Sequence, residues 1–371
     1  MPRRSTLWTL ALWLAACAPH EAADLPEAPG LTASPPASVE PTPAPQHAAA
    51  ETVAPPGTAP VVARTVEREV GERTWVVPVM RPPLPLPANA PAMLIHLTPG
   101  AERARVLPRV VFLHGYSACV RALAATGETS CGDGLPTQDG SGLARAADAS
   151  GTAIALLLPQ LAFLERNGDP GNLSQPNEAR RYLVTGFERG YAFADAGPPA
   201  PGPFVLVAHS GAFTAAAAIA AHGGLELQTI VLLDALYGEG PVCAQWLVEH
   251  PAARLISVHR PGGDPARLTR ALARRLTRLL GASAVGYASL DELATVMASH
   301  RFVEVEVHTA HAQIPTAHLA AILRSLFAPE GAPVSPRQRS GARPTAPDPG
   351  LPSARPESTP RAAGERPGPA P

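Results

Sequence analysis

The chain has 371 residues and no lysine, so all 30 basic side chains are arginine. That bias has the character of a high-GC genome and says nothing of function. Against 31 acidic residues the formal net charge is -1. There is no basic field of the sort that follows a phosphate backbone, and nucleic acid is not an expected partner. Cysteine is scarce: Cys17, Cys119, Cys131 and Cys243 are the whole complement. Two lone cysteines without a second pair do not make a zinc site, and the H-E-x-x-H run of a metalloprotease is absent. Neither a metal nor another cofactor is expected. Internal repeats are missing as well.

What is present is uneven. Most of the 45 prolines fall before about residue 100 or after about residue 327. At the start, Arg3 and Arg4 precede an apolar stretch, Leu7 to Ala16, too short to span a bilayer. Leu14-Ala15-Ala16-Cys17 closes it. Small residues before a cysteine are the pattern of a lipoprotein signal peptide, 1–17, with a lipid on Cys17. Several acyl chains would then hold the mature chain to a membrane. A small residue after Cys17, with no aspartate, favours the periplasmic side of an outer membrane. Residues 18–65 are rich in proline and alanine and lack the apolar density to fold, as does the arginine-bearing segment 329–371. The folded domain is expected over 66–328. Export would place it where disulfides persist. Cys119 and Cys131 are then a candidate pair, with Cys243 left as a buried thiol.

Inside that domain apolar runs alternate with helical patterns. Strands are predicted at Thr74–Met80, Ala92–His96, Arg109–Leu113, Thr152–Leu158, Phe204–Ala208, Thr229–Leu233, Leu255–Val258 and Phe302–Val307. Continuous runs of this length suit strands covered on both faces. Helices are predicted at Ser141–Ala149, Asn177–Ala194, Gly211–Ala221, Pro241–Glu249 and Pro265–Leu280. This rhythm gives an α/β fold with a mostly parallel sheet and helices on both faces.

The sharpest motif is Val205-Leu-Val-Ala-His-Ser-Gly-Ala212. An apolar strand runs into Ser210 and an alanine-rich helix follows at once. A nucleophilic serine on a strained strand-to-helix turn needs tiny neighbours two before and two after; the usual G-x-S-x-G is replaced by Ala208 and Ala212. A serine that only caps a helix would look similar. Other segments favour the nucleophile. Val110-Val-Phe-Leu-His-Gly-Tyr116 ends a strand in His-Gly, where backbone N–H groups can hold an oxyanion. The amides of Tyr116 and Gly211 are the candidate donors. After the last strand comes His308-Thr-Ala-His311. His311, in the loop proper, is the favoured base over His308, and His318 belongs to the next helix. Asp234 ends one strand and Asp264 follows the next; either can accept from the histidine.

On Phe112-Leu-His-Gly, Ala208-His-Ser-Gly-Ala, Leu233-Asp and His311, residues 109–319 resemble the α/β-hydrolase superfamily, and envelope hydrolases of Gram-negative bacteria in particular. The resemblance implies an eight-stranded sheet and a serine–acid–histidine triad. The acid more often follows the later strand in that fold, which favours Asp264, whereas a subset of lipases uses the earlier one. Asp264 also reads as a helix cap before Pro265, and Asp234 has no such structural explanation, so Asp234 is preferred. The loop Pro159 to Leu173 should line the pocket, with Asn167, Asp169 and Asn172 as candidate polar contacts or plain turn residues. No long apolar lid is evident.

Two functions follow as expectations. One is a serine hydrolase acting on an ester or amide, either a small molecule or an acylated envelope polymer. The other is a non-catalytic binding or cell-wall-organising lipoprotein on a degenerate scaffold.

Overall fold

The computed structural model describes residues 73–77, 82–87, 90–165, 169–192 and 199–327. Cys17, the segments 18–65 and 329–371, and Asn167 lie outside the described residues.

Eleven strands are described in chain order: β1 (Thr74–Val77), β2 (Met93–Leu97), β3 (Val106–Leu113), β4 (Thr126–Ser130), β5 (Thr137–Ser141), β6 (Ala155–Pro159), β7 (Ala200–His209), β8 (Leu227–Leu233), β9 (Arg254–His259), β10 (Val285–Ala288) and β11 (Phe302–Glu306). Eight α-helices join them: α1 (Val120–Ala124), α2 (Leu143–Asp148), α3 (Glu178–Tyr191), α4 (Phe213–His222), α5 (Gly240–Glu249), α6 (Gly263–Leu280), α7 (Leu293–Met297) and α8 (Ile314–Phe327). None of the described helices is long and apolar enough to cross a membrane.

Nine strands form one sheet in the order β1-β2-β6-β3-β7-β8-β9-β11-β10. β2 is antiparallel to both its neighbours, β1 and β6, and every pair from β6 to β10 is parallel. Alternation along the strands divides the core in two. On one face Val111, Leu113, Leu206 and Ala208 pack with residues of α3, α4, α5 and α6. On the other, Val110, Phe112, Val205 and Val207 pack with α1, α2, α7 and α8. Both faces are apolar because both are covered, which is why these strands read as unbroken apolar runs.

The expectation of eight strands is corrected to nine. The extra one, β10, is an edge strand of four residues, Val-Gly-Tyr-Ala, with Tyr287 exposed. Only one side of it is paired and its apolar content is low, so it carries no sequence signal. The hairpin β4–β5 likewise carries no sequence signal. Its residues, Thr-Gly-Glu-Thr-Ser and Thr-Gln-Asp-Gly-Ser, bury no apolar face. It is tied to the domain by a disulfide between Cys119 and Cys131, whose Cα atoms are 5.9 Å apart. Cys243 is a buried free thiol.

Candidate active site

β7 is the central strand of the sheet, fifth of nine. It pairs with β3 through Leu113 and Ala208, and with β8 through Ala208 and Leu232. At its carboxyl end the chain turns into α4 through Ser210, whose φ is +55°. A non-glycine residue in the left-handed region is strained, and such strain collects at functional sites. Asp234, directly after β8, has φ +45°. The tight turn explains the flanking alanines: Ala208 and Ala212 are wholly buried. It also explains two glycines. A Cβ on Gly115 would stand 2.8 Å from the Ser210 Cβ, and one on Gly211 would overlap the Tyr116 ring at 1.9 Å.

Three side chains meet over the carboxyl edge. His311 lies in a 3-10 turn, His311–Gln313, after β11. Its Nε2 is 2.9 Å from Ser210 Oγ and its Nδ1 is 2.7 Å from Asp234 Oδ2. A carboxylate accepts, so Nδ1 carries the hydrogen and Nε2 is left to accept from the serine hydroxyl. Asp234 is 1% exposed. Burial by itself would raise its carboxyl pKa, but the hydrogen bonds from His311 and Arg260 outweigh it and hold it at about 2. Asp234 is therefore an anion through the physiological range.

Arg260, just past β9, had no signal in the sequence. Its Nε donates to Asp234 Oδ2 at 2.8 Å and its backbone N–H donates to Oδ1 at 3.3 Å. Asp234 is thus gripped from two sides. His209, the residue before the serine, likewise carries no signal of its own in the sequence. Its Nε2 donates to the His311 carbonyl at 3.1 Å, and its ring lies 4.7 Å from that of His311. Burial and the neighbouring His311 push its pKa down to about 3, so it stays neutral and holds the His311 backbone by one directed bond.

On the other side of Ser210 stands the turn after β3. His114 is buried; its Nδ1 donates to the Gly115 carbonyl at 2.7 Å and its Nε2 accepts from the Leu161 amide at 3.0 Å. Burial depresses its pKa to about 4, in keeping with a neutral ring. Gln160 links this histidine to the next segment. Its Nε2 donates to His114 Nε2 at 2.9 Å and to the Ala118 carbonyl at 3.1 Å, and its Oε1 accepts from the Val120 amide at 3.0 Å. Gln138 of β5 accepts from the Cys119 amide at 3.1 Å and donates to the Ser117 carbonyl at 2.8 Å. The loop bearing Tyr116 is pinned on both flanks, and among the described residues nothing takes up the Tyr116 amide.

The remaining candidates lie elsewhere. Asp264 is not the helix cap; Gly262 is, and Asp264 sits in the first turn of α6, 61% exposed, 2.8 Å from Arg267 Nη2. It meets neither histidine of the loop. His308 is exposed. His318 pairs with Thr309 Oγ1 at 2.7 Å. Asp169 accepts from the Gly171 amide at 2.8 Å, a turn bond, and Asn172 is exposed. A cavity of about 790 Å³ opens beside Arg109, Phe187 and Phe204 at the start of β7. It is at the opposite end of that strand from Ser210.

No family model and no curated protein matches the chain. Among solved structures it is similar to a fluorophosphonate-binding serine hydrolase F of Staphylococcus aureus, at 10% identity over 63% of this chain and 91% of that one, TM-score 0.39. It is also similar to a feruloyl esterase module from Clostridium thermocellum, at 8% identity over 63% and 80%, TM-score 0.42. A third is an IroE-like serine hydrolase from Shewanella oneidensis, at 12% identity over 64% and 77%, TM-score 0.35. Likenesses this distant leave the fold to be judged on the chain's own topology. Seven parallel strands follow an antiparallel pair, the central strand turns sharply at Ser210 into a helix, and Asp234 and His311 stand on the ends of later strands. By that arrangement the chain has the fold of the α/β-hydrolase superfamily.

Proposed function

We propose that this protein is a serine hydrolase that cleaves an ester or amide through an acyl-enzyme. One observation carries the reading: Ser210, His311 and Asp234 form an unbroken line of hydrogen bonds of 2.9 and 2.7 Å. Ser210 Oγ attacks the acyl carbon while His311 Nε2 takes its proton. The amides of Tyr116 and Gly211 hold the oxyanion that forms. Nε2 then delivers the proton to the leaving oxygen or nitrogen, and the bond from carbon to that atom breaks. Water attacks the acyl-enzyme, gives one proton to Nε2, and Ser210 recovers it as it leaves. Asp234 keeps the Nδ1–H tautomer and stabilises the imidazolium.

The place of action we propose is the cell envelope, with the chain held by a lipid on Cys17. The signal-like residues before Cys17 support this, and a buried disulfide is compatible with export. The substrate is then a small acyl compound or an acylated envelope polymer.

The test is a fluorophosphonate probe with peptide mapping, followed by turnover of a panel of short-chain esters and amides. Wild type should be labelled at Ser210. Ser210→Ala should lose labelling and turnover, on the order of 10⁶-fold in kcat. Equal labelling of Ser210→Ala would sink the assignment. An unlabelled, inactive wild type would favour the non-catalytic binding reading instead.

A further inference from the structure

Behind Asp234 lies a second set of charges that the chemistry above does not use. The Arg260 carbonyl accepts from His259 Nδ1 at 2.9 Å. His259 is the last residue of β9 and its side chain is 0% exposed. Its other ring nitrogen, Nε2, is 2.9 Å from Glu304 Oε1 on β11, the neighbouring strand. A carbonyl can only accept, so Nδ1 carries a hydrogen. A carboxylate can only accept, so Nε2 carries one too. Together they describe an imidazolium buried against a carboxylate. Burial acts against that charge, but the hydrogen bonds to Glu304 and the Arg260 carbonyl, with the charges of Glu304 and Glu306, together outweigh it, so the His259 pKa lies above its ordinary value. The other charged groups that face this pair are Glu306 on β11, Arg270 of α6, 4.0 Å from Glu304 and 3.6 Å from Glu306, and Arg260 and Asp234. Glu304 Oε2 is buried with no hydrogen-bond partner among the described residues.

A buried ion pair is poor value for stability alone, because desolvation offsets most of the attraction. Its position suggests another use. It sits one backbone carbonyl away from the residue whose amide and guanidinium grip Asp234.

We propose that His259 and Glu304 are a positioning pair for the reaction: they fix the Arg260 backbone, and through it the orientation of Asp234 towards His311. The proposal rests on the Ser210–His311–Asp234 reading. Neither residue touches a reacting atom. When His259 loses its proton, one ring nitrogen becomes an acceptor facing an acceptor. Either the Arg260 carbonyl or Glu304 is then released. The raised pKa sets the sign. The pair is intact below the ordinary histidine pKa of 6.5 and is lost as pH rises through the higher folded-state value.

The experiment measures fluorophosphonate labelling rate, and kcat and KM for a neutral ester, against pH. It uses the full chain as wild type, Glu304→Gln, His259→Gln and the double variant. Labelling at completion counts correctly folded sites, so misfolding lowers the endpoint and leaves the rate of the remainder intact. Wild type should lose kcat and labelling rate on the alkaline side at constant KM. Glu304→Gln removes the charge that holds the proton, so the alkaline loss should move to lower pH, with kcat down about tenfold at neutral pH. His259→Gln should be low and flat, and the double variant no worse than His259→Gln. A Glu304→Gln profile superimposable on wild type would overturn the proposal, as would equal changes in KM and kcat. If neither variant folds, wild type decides: an alkaline loss at constant KM supports the pair, and a flat profile overturns it. Wild type that is not labelled at Ser210 fails the hydrolase reading itself, a different result from labelling without pH dependence.

Discussion

Two histidines end parallel strands on opposite sides of Ser210 and make the same backbone bond. His114, after β3, donates from Nδ1 to the carbonyl of Gly115; His259, at the end of β9, donates from Nδ1 to the carbonyl of Arg260. Each braces the first turn after its strand. They differ at Nε2. In His114 it accepts, from the Leu161 amide; in His259 it faces Glu304. The first ring is neutral, with its pKa depressed, and the second is cationic, with its pKa raised. One partner atom thus decides the charge of a buried imidazole, because desolvation disfavours the cation until a carboxylate supplies a hydrogen bond to it. The consequence is a site with unlike halves. The Tyr116 side is held by neutral hydrogen bonds and a disulfide, and the Asp234 side by ions.

The largest effect expected falls on the ionic half. Asp234→Asn keeps the shape of the side chain but cannot hold the same tautomer of His311, so kcat should fall about 10⁴-fold with little change in KM. Steady-state kinetics on any ester the wild type hydrolyses will measure it, and a loss under tenfold would remove Asp234 from the line. The neutral half should fail in acid. His114 has a folded-state pKa of about 4 against an ordinary 6.5, so its contribution is complete above about pH 6.5 and is lost as pH falls to about 4. The loss amounts to about 3 kcal/mol, and His209, depressed for the same reason, adds to it with the same sign. Urea denaturation of wild type and His114→Gln at pH 7 and pH 4.5 tests this: the variant should show a shallower acid slope. A parallel slope would mean that His114 does not titrate on unfolding.

Reducing the Cys119–Cys131 bond should lower stability by about 3 kcal/mol, the size expected for a short closed loop. It should also slow fluorophosphonate labelling, since Cys119 sits three residues from Tyr116 and shares its loop with the Gln138 bonds. Calorimetry with and without reductant gives the first number and labelling rates the second. An unchanged labelling rate in folded, reduced protein would separate the hairpin from the Tyr116 loop. The smallest effect is a control. Asp264→Ala breaks an exposed contact with Arg267 and should change stability by less than about 0.5 kcal/mol and kcat not at all. A loss of kcat comparable with that of Asp234→Asn would reverse the choice of acid.

The fold was legible where burial is two-sided. β3, β6, β7, β8 and β9 each carry a buried apolar run because helices cover both faces, and such runs need no alternation to be found. β10 and the β4–β5 hairpin escaped because one is a half-paired edge and the other is polar on both faces. In the site, Ser210 was visible because its turn demands a strand before it, a helix after it and small residues around it. His311 and Asp234 were visible only as members of pairs, with His308 and Asp264 as competitors. Local sequence cannot choose between residues that differ by which way a loop folds back over the sheet. Arg260, His259, Glu304 and Gln160 were not visible at all, since a charged or polar residue in or just past a strand is ordinarily a solvated one.

By itself, then, the sequence determined the mostly parallel sheet, the serine between an apolar strand and a helix, and the segments from which its partners would come. These depend on local matters: apolar period, residue size and turn strain. Only the tertiary structure decided that Asp234 and not Asp264 meets His311, that Arg260 grips it, and that His114 is neutral where His259 is charged. Those outcomes depend on distances between residues 26 to 101 positions apart along the chain. Hydrogen bonds and charges act through space over a few ångströms, whatever the separation in sequence.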